Sequence, residues 1–306
     1  MKSLTKIKQL FILSAALAIT FSACSSVSNN DAELDTLSDA DVELAAKIVG
    51  SSLSDDEDGI VSSMYDAFSN VGETGISYGD DSKNKPRRNG RSGRGGERSF
   101  SHEYDSLTGV HSISYERSVT TDNFSKSLSV NQEIIFTSID DEFLARPRAE
   151  KELIESINFT GTKTGEAESP FRSSNYTKID TMNVSGIHST STILSMDGNH
   201  YGTGNVEGAL SDSTTGSKVY QIDISYENVA IDKDTVAAYG NLEQGVSGTL
   251  TYSILMTETI GGVPEETLVE GTIDLEEDGT ALLRFKKLPK VIRFSLRDGE
   301  RDDTEE

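Results

Sequence analysis

In the stretch VSGTLTYSILM (residues 246–256), Val246, Gly248, Leu250, Tyr252, Ile254 and Met256 share one side, and Ser247, Thr249, Thr251 and Ser253 share the other. Only an extended chain puts alternate residues on opposite faces, so this period of two commits the segment to a half-buried strand. YQIDISYE repeats the pattern, with Tyr220, Ile222, Ile224 and Tyr226 opposite Gln221, Asp223, Ser225 and Glu227. VEGTIDLE and IRFSLR repeat it again. The alternation runs through most of residues 99–297 and predicts about eleven or twelve strands. Turn dipeptides punctuate it at Thr108-Gly109, Asp197-Gly198, Thr215-Gly216, Gly261-Gly262 and Asp278-Gly279. Only residues 142–156 have room for a further short helix, with Pro147 at its start. No strand–helix–strand alternation appears, so the expected fold is mainly β, a large antiparallel meander. The short motifs NVSG, NVEG, GVSG and LVEG recur at irregular spacing, which fits similar strands better than a solenoid repeat.

Residues 38–69 change period. Ser38 and Asp41 have the spacing of a capping box, and Val42, Ala45, Ile48 and Val49 follow as a helical stripe. SDDEDG interrupts, and Ile60, Met64 and Phe68 resume the stripe. Two short helices are therefore expected before the sheet. About twelve strands must then flatten into a barrel or two packed layers, curl around those helices, or leave an apolar cavity. A membrane barrel is disfavoured, because the chain has no Trp for an interfacial girdle and ends in DDTEE.

The N-terminus carries the clearest address. Lys2, Lys6 and Lys8 precede an apolar run, LFILSAALAITF, that is short for a bilayer span, and small residues then lead to Cys24. FSAC resembles the lipobox of bacterial lipoproteins, with Phe21 where that family more often has Leu. The resemblance covers residues 1–24 and implies a signal peptide (1–23) and lipid attachment at Cys24. It also gives the chain's single cysteine a purpose, since no intramolecular disulfide is possible. Ser25 after that cysteine resembles lipoproteins sorted to the outer membrane. The expected location is the bacterial cell envelope, on either the periplasmic or the outer surface. Residues 24–37 then read as a tether and 298–306 as an acidic tail.

The formal net charge is −23. Loss of residues 1–23, which hold three lysines and no acid, deepens it further. Against this background the segment 70–98 is anomalous. Its end, KNKPRRNGRSGRGGER, concentrates Lys83, Lys85, Arg87, Arg88, Arg91, Arg94 and Arg98 among glycines. Arg-Gly runs that bind RNA pair cations with stacking aromatics, and none lies between Tyr78 and Phe100. With export and a strongly acidic chain, nucleic acid is not an expected partner. The run reads as a linker loop whose charge is offset by the protein's own acidic surface. As a candidate site it would take an envelope polyanion through forked arginine contacts.

Chemical motifs are sparse. GISYG (residues 75–79) has the spacing of a serine-hydrolase elbow around Ser77, but no buried strand precedes it. SDDEDGIVSSMY (54–65) resembles an EF-hand loop in outline, with Asp56 and Asp58 at ligand spacing. It departs from that family at Ser54 and Tyr65, the first and twelfth ligand positions, so helix capping is the simpler use of its acids. His102, His111, His188 and His200 form no metal-binding pair in sequence, and His111 falls on the face of Ile113 and Tyr115. No cofactor motif is present, and no metal or catalytic residue is assigned.

The expected role is a non-enzymatic, lipid-anchored binding or structural module, whose partners are the membrane through its lipid and an envelope polyanion or protein. The alternative is a lipid or lipoprotein carrier, with Tyr220, Ile222, Ile224, Tyr226, Leu250, Tyr252 and Ile254 lining an apolar cavity. Such a carrier would resemble the open-barrel proteins of the Lol pathway in architecture only. A serine hydrolase using GISYG is a distant third.

Overall fold

The computed structural model describes residues 37–68, 98–170, 172–188, 190–211, 214–260 and 262–301. The expected signal peptide, Cys24, GISYG and the cationic run up to residue 97 lie outside the described residues. Eleven strands form one antiparallel sheet in strict sequence order, with no crossover and no closure. They are β1 (Arg98–Tyr104), β2 (Val110–Thr121), β3 (Phe124–Ser138), β4 (Ile154–Ser169), β5 (Arg172–Ser185), β6 (Ile193–Ser211), β7 (Thr214–Asp232), β8 (Val246–Ile260), β9 (Val263–Leu275), β10 (Thr280–Phe285) and β11 (Leu288–Ser295). The expected two helices precede them: α1 (Asp39–Leu53) and α2 (Ile60–Phe68). A third, α3 (Lys233–Tyr239), connects β7 to β8.

Each element has a local cause. Ser38 caps α1 through the predicted box: its Oγ accepts from the Asp41 N–H at 3.1 Å, and Asp41 Oδ2 accepts from the Ser38 N–H at 3.2 Å. Gly109 and Gly279 take the left-handed φ values, +73° and +85°, that their hairpin turns require. Asp197-Gly198 corrects the turn assignment. It lies inside the long strand β6, at a register shift between Met196 and Gly198, and Thr215-Gly216 likewise falls inside β7, paired with Ala209 and Gly208. The only helical turn in residues 142–156, all of which are described, is the 3-10 turn Lys151–Leu153, which leads directly into β4.

The sheet curls around the helical hairpin. The loop before α2 binds the end of β11, where Asp55 N–H donates to Leu296 O at 3.1 Å and Asp56 N–H donates to Arg297 O at 2.9 Å. Near the other end of α2, Asp66 meets Gln132 of β3. Eight strand steps separate β3 from β11, about 38 Å in a flat sheet. The nine residues of α2 span only about 14 Å. Only a strongly curved sheet lets one short hairpin reach both. Every residue of α2 is buried, and its side chains join those of α1 and the inner faces of β3 to β11 in a single hydrophobic core.

Paired glycines and tyrosines thin the inner face. Gly165, Gly204, Gly198 and Gly271 stand directly across from Tyr176, Tyr220, Tyr226 and Tyr252 on the neighbouring strands. At each of these glycines an added Cβ would collide with that tyrosine's ring. The ring lies over bare backbone, as in aromatic rescue of strand glycines, which leaves room for the helices inside the curve.

Candidate functional site

The seven residues proposed to line a cavity are core residues in this structure. Ile222, Ile224, Tyr226, Leu250, Tyr252 and Ile254 are buried in the cluster that contains α1 and α2, and Tyr220 packs against it half-buried. Of the cationic candidates, only Arg98 falls within the described residues, as the first residue of β1. The EF-like loop is committed elsewhere. Ser54 is fully buried, Asp58 accepts from the Tyr176 hydroxyl at 3.0 Å, and the Tyr65 hydroxyl donates to Glu243. Among the described residues, no group of three His, Cys, Asp or Glu side chains is placed to hold a metal.

The chemically richest cluster is a polar seam where α2 meets the inner face. Gln132 Nε2 donates to Asp66 Oδ2 at 2.6 Å. Lys163 Nζ donates to Ser62 Oγ at 3.0 Å and lies 3.6 Å from Asp66 Oδ2. Ser63 Oγ donates to Asp180 Oδ2 at 2.6 Å, and His200 Nδ1 lies 2.7 Å from Asp180 Oδ1. Lys178 Nζ donates to the carbonyls of Ser51 and Glu57 at 2.7 and 2.6 Å, which ties down the end of α1 and the loop after it. Burial pushes the Lys178 ammonium down to about 8. Burial alone would raise the Asp180 carboxyl, but His200, Lys163 and the Ser63 hydroxyl together hold it below its ordinary value. Burial, reinforced by the Glu243 carboxylate, raises the Tyr65 hydroxyl.

Ser63, Asp180 and His200 supply the parts of a hydrolytic triad in the wrong order. The carboxylate stands between serine and histidine and takes the serine proton's hydrogen bond. His200 Nε2 is buried without a partner among the described residues. A nucleophile needs the base against its hydroxyl, with the acid behind the base. Lys163 and Ser62 are in contact, but they are 0% and 1% exposed, so no substrate reaches them. The arrangement clamps the helices to the sheet. Its sequence signal was polar residues at inward positions: Lys163 between Gly161 and Gly165, and Lys178 and Asp180 between Tyr176 and Met182.

The other histidines are structural or exposed. His111 Nε2 donates to Leu144 O at 2.8 Å, which leaves Nδ1 to accept from His102 Nε2 at 3.2 Å. Burial lowers the His111 pKa, assisted by His102. His188 is exposed.

Two hollows lie on the opposite, outer face. The first, about 390 Å³, is lined by Glu133, Asn158, Thr160, Asn183, Asp197 and Asn199, with Val110 and Ile135 at its edge. The second, about 420 Å³, includes Glu116, Arg117, Ser127, Ser129, Thr164 and Glu166. Both lie over β3 and β4, and they share no lining residue. Among the described residues, the side chains of Glu133, Asn158, Thr160, Asn183 and Asn199 make no hydrogen bonds within the protein. The sequence analysis singled out none of these positions, because a single strand does not reveal which outward residues line up across its neighbours.

No protein-family model matches the chain, and neither a curated protein nor a solved structure gives a match.

Proposed function

We propose that this chain is a lipid-anchored envelope protein that acts by binding rather than catalysis, through the outer face of its sheet. The observation that carries the reading is the complete burial of α2 inside the curved sheet. The protein's own helices occupy the inner face, where a carrier would hold acyl chains. Both hollows described above open on the outer face and are lined by hydrogen-bonding side chains with spare capacity. The leader and Cys24 support the anchor: several acyl chains at roughly 0.8 kcal/mol per buried methylene hold a protein stably at a membrane.

Native mass spectrometry of the mature chain carrying Cys24→Ala tests the reading. The expected result is the bare protein mass. A stoichiometric lipid adduct would overturn it and favour the carrier, with α1 and α2 displaced from the sheet. The anchor is tested separately: the unsubstituted protein should fractionate with membranes, and the Cys24→Ala protein should not.

A further inference from the structure

We propose that β1 is a dimerisation edge: a second copy of this chain adds its own β1 antiparallel to it, about a two-fold axis at Ser101. The proposal concerns the edge of the sheet and holds whether or not the outer face binds a ligand. The backbone supplies the first argument. β1 heads the strand order, with no strand on its far side among the described residues. The Asp105 N–H donates to Val110 O at 2.9 Å, which sets the phase of the β1–β2 ladder. Hydrogen-bonded pairs alternate along an antiparallel ladder. Ser99, Ser101 and Glu103 therefore bond to β2, while Phe100, His102 and Tyr104 turn their N–H and C=O groups away from the sheet. The strand runs seven residues without the proline or bulge that blunts many sheet edges. The opposite edge is covered. Arg301 bridges to Phe294 of β11, and the loop before α2 takes the next carbonyls, those of Leu296 and Arg297. One bare edge per chain gives a closed pair rather than a growing stack.

Side chains supply the second. Phe100, His102 and Tyr104 share the inner side of the sheet with His111, because alternate residues of paired strands share a face. The His111 ring stacks on His102 and packs edge-on against Phe136 of the core, each at 5.5 Å between centroids. Yet Phe100 is 72% exposed and His102 is exposed as well. The inner layer thus runs out to β1 and stops uncovered. A two-fold at Ser101 continues it and overlaps the whole of both strands, with roughly eight new backbone hydrogen bonds. Phe100 lies across from Tyr115, and His102 from Ile113. In the pair Phe100 falls opposite His102 of the second copy. Each inner row then reads Tyr115, Phe100, and His102 and Ile113 of the second copy.

Charge supplies the third. β1 holds one Arg and one Glu in a chain of net charge −23, so this edge escapes the repulsion that most of the surface imposes on a second copy. In the Ser101 register Arg98 falls opposite Tyr104 and Ser99 opposite Glu103, so no like charges stand across from each other.

The test is sedimentation equilibrium of the mature Cys24→Ala chain, which should show monomer and dimer. Phe100→Pro removes the exposed ring and an N–H that β2 does not use, a position where an edge strand tolerates proline. It should raise the dimer dissociation constant at least tenfold and leave the far-ultraviolet circular dichroism unchanged. Ser101→Cys reads the register, since the Cys24→Ala chain has no other cysteine. The two-fold makes the two Ser101 residues a non-hydrogen-bonded pair with Cα atoms about 4.5 Å apart, within reach of a disulfide. Mild oxidation should cross-link most of the Ser101→Cys chain and little of a Ser106→Cys chain, whose thiol lies in the exposed β1–β2 turn. A parent chain that stays monomeric at sub-millimolar concentration would overturn the proposal. Slow hydrogen exchange at Phe100, His102 and Tyr104 in that monomer would assign the edge to another segment of the same chain. A dimer that survives Phe100→Pro, and cross-links no better with Ser101→Cys than with Ser106→Cys, would place the interface elsewhere and overturn it too.

Discussion

Lys163→Met should be among the most damaging single changes in the protein, and adding Asp66→Leu should restore most of the loss. Lys163 is fully buried and Asp66 is 4% exposed. The lysine donates to Ser62 at 3.0 Å and faces the Asp66 carboxylate at 3.6 Å. Removing the ammonium leaves a buried carboxylate with one balancing cation fewer. Breaking one side of a buried pair costs about 3–5 kcal/mol. Replacing both sides with apolar groups removes the unpaired charge but leaves the buried Gln132 amide without its acceptor, so the double variant should lie about 1–2 kcal/mol below the parent. The cycle should therefore show a coupling of at least about 3 kcal/mol. Urea unfolding of the mature Cys24→Ala chain, followed by far-ultraviolet circular dichroism, measures all four corners. A cost below about 1 kcal/mol for Lys163→Met, with no recovery in the double, would mean the seam is hydrated and α2 is not held as described.

Three further outcomes follow from other residues. Lys178 titrates near 8 when folded and near 10.4 when unfolded. Between those values only the unfolded state binds the proton, so stability should rise with pH by up to about 1.4 kcal/mol per unit. The buried tyrosines Tyr65, Tyr176, Tyr226 and Tyr252, all raised by burial, should reverse the trend above about pH 10. Lys178→Met should abolish the rise between pH 8 and 10, and an unchanged slope would contradict the assignment. Gly204→Val should destabilise by about 1–3 kcal/mol in urea through collision with the Tyr220 ring, while Tyr220→Ala in the same background should relieve part of that loss. If the run at 83–98 contacts envelope phosphates, neutralising Arg87, Arg88, Arg91 and Arg94 should abolish salt-sensitive binding to lipopolysaccharide. Unchanged binding, or none in the parent, identifies a linker.

The strands were legible because alternation is a local property. Residues 246–256 announce both faces of β8 without reference to any neighbour. The hairpin helices were equally readable, since Ser38 and Asp41 mark a start and Val42 to Val49 a face. α3 was missed because seven residues hardly establish a helical period, although Asp232 caps it by accepting from the Asp234 and Thr235 N–H groups. Asp197-Gly198 misled because the dipeptide has turn chemistry. There the glycine serves the ring of Tyr226 directly across from it. The seam was hidden for a different reason. Ser63 and Asp180 are 117 positions apart, and Ser62 and Lys163 are 101 apart. Nothing local says that a polar residue at an inward strand position has a partner on a distant helix. The outer hollows depend on register across neighbouring strands, which alternation within one strand leaves open.

Hydrogen exchange of α2 tests most directly whether the sheet is built around its own helices. With its whole length buried and its polar side chains bonded to β3, β4 and β5, α2 should open only when the sheet does. Its amides should match the protection of β4 to β8 and lose it together with them in rising urea. Exchange of α2 at the rate of an exposed surface helix, while β4 to β8 remain protected, would contradict the account and show that the hairpin leaves the sheet on its own.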